Sequence, residues 1–182
     1  KICGLSFHAQ DNSGRFLGDQ FPEDFYLSDH NRCRIQQGCR GDKCEVFRTE
    51  ILKAFPFPVF PGESFIVESI VWGRIADHYQ TVYVNRTILI KTYLPGGISA
   101  SAKQAQLRSP QGSTLAAREM LQRPFSWGVK CKFMLQYTCY SIKSGLKAGR
   151  ILQDSGCPWL CAFFLPAGAL LCWYWSRKYD RI

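Results

Sequence analysis

Acidic residues almost disappear from the second half of the 182-residue chain. Between Lys103 and Ile182 there are three, against twelve Lys or Arg, and this stretch carries the whole formal charge of +9. The first 102 residues balance, with eleven of each sign. A basic tail on a neutral body concentrates attractive potential on one part of the molecule, as in chains that meet anionic lipid or nucleic acid. The aromatic residues of the tail cluster in one apolar run and do not alternate with basic ones, which disfavours nucleic acid as the partner.

Other absences narrow the reading further. No Met opens the chain, and the run Ile2 to Phe7 lacks the basic start and long apolar stretch of a signal peptide, so a truncated N-terminus is expected. No internal repeat occurs. Paired C-x-x-C spacings are missing: the nine cysteines are odd in number, and Cys33, Cys39 and Cys44 fit no zinc pattern, with His30 the only histidine near them. No metal site is expected there. Cys131, Cys139, Cys157, Cys161 and Cys172 lie in helical or apolar stretches and read as buried, reduced thiols.

What is present suffices for a core: 46% of residues are hydrophobic and 14% aromatic. Ile2 to Phe7 reads as a buried strand, and Asp11-Asn12-Ser13-Gly14 as a turn. Phe21 to Asp42 is rich in Pro, Asp, Asn and Gly and predicts a long surface loop with at most one helical turn. Lys43 to Phe55 predicts a strand passing into a short helix from about Thr49, ended by the prolines of Phe55-Pro56-Phe57-Pro58. Val67, Ile70, Val71 and Ile75 form one apolar stripe of a helix placed between Glu63 and Tyr79. Gln80 to Val84 and Thr87 to Tyr93 read as two strands around Asn85-Arg86. Leu94-Pro95-Gly96-Gly97 reads as a turn, and the chain from Ser99 to Lys147 as largely helical. From Ser155 to Ser176 there are 22 residues without a charge, followed at once by Arg177-Lys178. That length can cross a bilayer, while Pro166-Ala167-Gly168 in its middle equally suits a bent, re-entrant or interfacial segment.

The pattern Gly41-Asp42-Lys43-Cys44-Glu45-Val46-Phe47-Arg48-Thr49-Glu50-Ile51-Leu52, then Phe55-Pro56-Phe57-Pro58, Gly62-Glu63-Ser64-Phe65-Ile66-Val67-Glu68-Ser69 and Val71-Trp72-Gly73-Arg74-Ile75-Ala76 resembles bacterial family 2 glycosyltransferases. Tyr83-Val84-Asn85 and Tyr93 to Ser99 extend the match, which covers roughly Ile2 to Ser101. The resemblance implies an α/β fold of the GT-A type. Residues 1–101 would form the acceptor-side half of the catalytic domain, 102–154 a basic helical region and 155–182 a hydrophobic membrane-associated segment. It implies a nucleotide-sugar donor, a glycan or lipid-linked acceptor, and a divalent metal, Mn or Mg. In that family the metal is held by an Asp-x-Asp motif in the donor-binding half. No D-x-D occurs in this chain, and Lys1 falls just downstream of where the motif would stand.

Inverting transfer needs one carboxylate to take the proton of the attacking hydroxyl. Glu68 matches the family's acidic residue at a helix start, although Ser69 stands where a second acid is usual. Glu63 is the rival base, with favourable placement at a helix dipole as its structural alternative. Asp42, Lys43 and Arg48 are candidates for binding the acceptor or a diphosphate, or for ordinary surface ion pairs. The expected location is the cytoplasmic face of the cell membrane. The competing expectation is a small membrane-tethered or anionic-lipid-binding module without catalysis.

Overall fold

A computed structural model describes residues 1–94, 97 and 101–179. The expected turn at Leu94-Pro95-Gly96-Gly97, the Ile98-Ser99 end of the family pattern and the basic residue Arg181 lie outside the described residues. The chain is mixed α/β, with a four-stranded sheet and a long apolar helix at its C-terminal end. One compact unit comprises Lys1–Pro56 and Val71–Pro95, and a second comprises Phe57–Ile70 and Gly96–Ile182.

In the first unit, strands β1 (Ile2–Gln10), β2 (Tyr26–Ser28), β3 (Lys43–Phe47) and β4 (Gln80–Ile90) form a sheet in the order β2-β4-β1-β3. β1 is central, parallel to β4 and antiparallel to β3, with Ser6 opposite Tyr83 on one side and Glu45 on the other. The strand of Ile2 to Phe7 is therefore present and longer than expected, but it is not buried throughout: Cys3 and Ser6 are buried while Ile2 and Leu5 are exposed. The two strands expected around Asn85-Arg86 are one. β4 runs through this dipeptide, and the register on β1 jumps from Phe7↔Val84 to His8↔Thr87, so the two residues bulge out of the ladder without turning the chain. The expected loop from Phe21 to Asp42 also holds more structure. It contains β2 and a π-helical turn, Asn31–Gln36, in which Gln37 N–H reaches back to the Arg32 carbonyl while the Asp29 carboxylate accepts Arg32 N–H at 2.8 Å.

Helix α1 (Thr49–Ala54) follows β3 as its pattern predicts, and the prolines after Phe55 keep the chain out of helix. Helix α2 (Ser69–Ala76) is shorter than the stretch assigned to it. Glu63 to Val67 stays outside because its polar groups are engaged elsewhere: Phe65 N–H donates to Ser109 Oγ at 3.2 Å, and the Glu63 carboxylate is held by backbone further along the chain. Cys3, Val71 and Ile75 are buried beneath Phe47, Ile51, Leu52, Phe55, Trp72 and Tyr79, with Phe47 stacked on Trp72 at 4.5 Å.

The second unit contains α3 (Ala102–Arg108), α4 (Pro110–Gln122), α5 (Trp127–Lys143), α6 (Ala148–Asp154) and α7 (Pro158–Tyr179). Its core joins Ala117, Leu121, Met134, Tyr137, Ile151 and Cys161. Tyr137 brings a hydroxyl into this core and satisfies it by donating to the Ile151 carbonyl at 2.9 Å. Helices α5 and α7 meet where Gly168 faces Thr138. A Cβ at Gly168 would collide with Thr138 Oγ1 and lie 2.6 Å from Thr138 Cβ, so only the missing side chain allows this approach. α7 continues without a break through Pro166, which points to solvent. All nine cysteines are free thiols; Cys139, Cys161 and Cys172 are buried, whereas Cys131 is half-buried and Cys157, also expected inside, is exposed at the loop before α7.

Candidate functional site

The end of the sheet unit reached by β1 and β4 carries a shallow groove of about 360 Å³. Its walls begin with the Asp11 turn. The Asp11 carboxylate accepts Ser13 N–H at 2.9 Å, Ser13 Oγ–H at 2.6 Å and Arg15 N–H at 3.0 Å, and Gly14 supplies the positive φ of 83° that the turn requires. The chain then returns along the strand end, with Leu17 N–H on the Ala9 carbonyl and Asp42 N–H on the Leu17 carbonyl at 2.7 Å. Gly18 and Gly41 pass each other so closely that a Cβ on Gly41 would collide with the Gly18 backbone, and both have positive φ. Arg34 braces this crossing by donating to the carbonyls of Cys39 and Gly41, both at 2.6 Å. Arg15, Phe16, Arg40, Asp42 and Tyr93 face the groove.

Asp42 is the fixed charge of this wall. Its Oδ2 accepts Lys91 Nζ at 2.9 Å and the Tyr93 hydroxyl at 2.8 Å. Partial burial raises its pKa, but the donated hydrogen bonds of Lys91 and Tyr93 and the charges of Lys91 and Arg34 outweigh this and hold it below the ordinary 3.8. The carboxylate is ionised at neutral pH, and the Tyr93 phenol beside it is pushed up.

Beneath the groove lies a buried polar network. Asn85 Oδ1 accepts Phe21 N–H at 2.9 Å while its Nδ2 donates to the Phe21 carbonyl at 3.1 Å, which fixes the amide orientation. His8 Nε2 is 2.7 Å from that same Oδ1 and must carry the proton; Nδ1 is then the acceptor for Lys43 Nζ at 3.3 Å. Lys43 Nζ also donates to the Asp19 carbonyl and sits 5.0 Å above the Phe21 ring, on which His8 is stacked at 4.5 Å. Burial lowers the His8 pKa, opposed by the Asn85 acceptor and assisted by Lys43; burial likewise lowers that of Lys43. With both ring nitrogens engaged, His8 positions the chain and offers no lone pair to a substrate.

The candidate residues therefore separate. Asp42 lines the groove, and Lys43, the next residue and the first of β3, points inward and is buried. Arg48 is exposed at the residue before α1, its N–H on the Cys3 carbonyl at 2.8 Å. Glu63 belongs to the helical unit, where its two oxygens accept Gln111 N–H at 2.6 Å and Gly112 N–H at 2.8 Å, in the first turn of α4. The helix-dipole role considered for Glu63 is thus real, but it serves α4 and not α2. Glu68 is exposed immediately before α2.

No family model, no curated protein and no solved structure matches the chain. Among the described residues no three His, Cys, Asp or Glu side chains converge to hold a metal ion. Cys33, beside Cys39, is buried and its thiol is pushed up to about 12, chiefly by burial, which makes it unreactive.

Sequence reasoning missed Arg15, Phe16, Arg40 and Tyr93 of the groove, and His8, Arg34, Asn85 and Lys91, which support it. A signal existed for Asn85. An amide amid β-branched and aromatic residues, if it is not a turn, needs a polar partner, and His8 is the polar residue that ends the buried face of β1.

Proposed function

We propose that the chain is the acceptor-side part of a family 2 glycosyltransferase, transferring a sugar with inversion from a nucleotide-sugar donor to a glycan or lipid-linked acceptor at the cytoplasmic face of the cell membrane. The observation that carries the reading is that Asp42, at the head of the Gly41-to-Leu52 pattern, lines a groove as a pre-oriented anion beside the exposed rings of Phe16 and Tyr93. A fixed carboxylate suits sugar hydroxyls, the rings suit the apolar face of a pyranose, and Arg15 and Arg40 suit a phosphate or acidic group. Lys43 contributes by holding the wall from inside. Glu68 is the proposed general base, since the Glu63 carboxylate is occupied at α4.

Two arms test the reading. The chain should retain oligosaccharides or lipid-linked saccharides on an array, and Asp42→Ala should lose that retention while staying folded. In a transfer assay on protein that also carries the donor-binding half, Glu68→Gln should lower the rate by about a hundredfold to ten-thousandfold. A chain that ignores every saccharide but binds vesicles would instead support the non-enzymatic, membrane-tethered reading. That reading is favoured by one observation, the long apolar helix α7.

A further inference from the structure

Helix α7 is long and apolar enough to cross a bilayer, yet it is divided lengthwise. Cys161, Gly168 and Cys172 are buried along one side, about two helical turns and then one turn apart. On the other side Trp159 is 89% exposed, Phe163 78%, Leu170 69%, Trp173 56% and Tyr174 50%. Between Trp159 and Tyr174 this outer face has no charge, and it ends in the exposed Arg177 and Lys178.

The inner side is covered from end to end by helices that bear charge. Near the start, Cys161 Sγ donates to the Ile151 carbonyl of α6, whose Arg150 and Asp154 pair at 2.7 Å. In the middle, Gly168 rests on Thr138 of α5. Near the end, Ser176 Oγ accepts Lys143 Nζ at 3.3 Å, and Lys103 Nζ of α3 lies 4.1 Å from the centre of the Trp175 ring. A helix packed this way cannot cross a bilayer without drawing Arg150, Asp154, Lys103 and Lys143 toward the hydrocarbon, where charged groups are strongly disfavoured. Lying parallel to the surface removes the conflict, because the charged helices then stay on the water side.

We infer that α7 seats the protein on an anionic phospholipid bilayer, lying in the plane of the interface on its outer aromatic face and not crossing the membrane. Tryptophan and tyrosine favour the headgroup level. At the end of the face, the Arg177 guanidinium lies 4.3 Å from the centre of the Trp173 ring and Lys178 Nζ 5.7 Å from that of Tyr174, so rings and cations are held together where anionic headgroups would meet them. The surplus of twelve basic over three acidic residues from Lys103 onward gives the same sign of attraction at longer range. The proposal does not depend on sugar transfer, and its test reads no catalysis.

The experiment uses the full chain and vesicles of equal parts phosphatidylglycerol and phosphatidylcholine. A fluorescent non-natural residue is placed at Ala162 or, separately, at Ala169, two exposed positions on one face about 10 Å apart along the helix axis. Quenching by lipids brominated at different depths then gives the depth of each. Equal shallow depths are expected. Vesicle binding is also expected to weaken about tenfold or more in the combined Phe163→Ser, Leu170→Ser, Trp173→Ser variant and on removing phosphatidylglycerol. Those three side chains are solvent-exposed, so an unchanged circular dichroism spectrum separates lost docking from lost folding. Depths that differ by about 10 Å would establish a span and overturn the proposal. Absence of quenching at both positions would overturn it too, as would a lipid-independent dimer that buries both labels.

Discussion

In the sheet unit, polar side chains lie at the centre of one end of the structure. His8, Lys43 and Asn85 satisfy one another and the backbone of Asp19 and Phe21, with aromatic rings packed around them. The helical unit is arranged the other way. Its core cluster of Ala117, Leu121, Met134, Tyr137, Ile151 and Cys161 carries a single hydroxyl, on Tyr137, a close helix approach is made possible by Gly168, and large apolar side chains are turned outward on α7. A hydrogen-bonded interior fixes geometry, because each bond holds its donor and acceptor at a set distance and angle. A close-packed helix pair fixes separation and leaves its outer surface free to be chosen for another medium. The contrast fits a unit that shapes a groove and a unit that meets a surface.

The sharpest way to break the helical side of this comparison is Gly168→Val. The new side chain has no room against Thr138, and overpacking of this kind costs about 3 kcal/mol, so urea unfolding followed by helical dichroism should show a large loss; Thr138→Gly in the same chain should restore part of it. Next is the polar side. Asn85→Ala leaves His8 Nε2–H and the Phe21 N–H and carbonyl without their partner, at a cost of about 2 kcal/mol, and chemical denaturation of the variant should show it. If Asn85→Ala were neutral, the network would be ornamental and the contrast false. The smallest effect is expected for Glu63→Gln, which keeps one acceptor oxygen at α4 but loses the charge and the second acceptor, costing about 1 kcal/mol in a melting experiment.

Local rules made β1, β3 and α1 legible, because a short apolar alternation and a proline stop leave few alternatives. They failed where a distant partner overruled them. Asn85-Arg86 has turn chemistry, yet Asn85 serves His8 and Phe21, 77 and 64 residues away, and the strand stays whole. The helix assigned to Glu63 onward was shortened by the same cause, since the Glu63 carboxylate and Phe65 N–H are engaged by residues 44 to 49 positions later. Of the candidate site, the Asp42-Lys43 pair was visible as polar residues at a strand start. Their opposite fates were not visible, because Asp42 lies just before β3 and is held in the groove by Lys91 and Tyr93, while Lys43 opens the strand and turns inward. Arg15, Arg40 and Tyr93 carry no local signal, because three separate segments bring them to one groove.

The pairing of β1 with β4 also sets an order of events. Ile2 faces Gln80 and Gln10 faces Ile90, so β1 stays half-paired until about eighty further residues have been made and the longest loop of the unit has closed. Its other side can meet β3 much earlier, at Leu5 opposite Val46. In that interval β1 exposes a bare parallel edge rich in apolar residues, a template for any stray strand from another chain. The segment Gln80–Ile90 is in this sense a closing seam, and a nascent chain halted before it is the form of this protein most prone to aggregate.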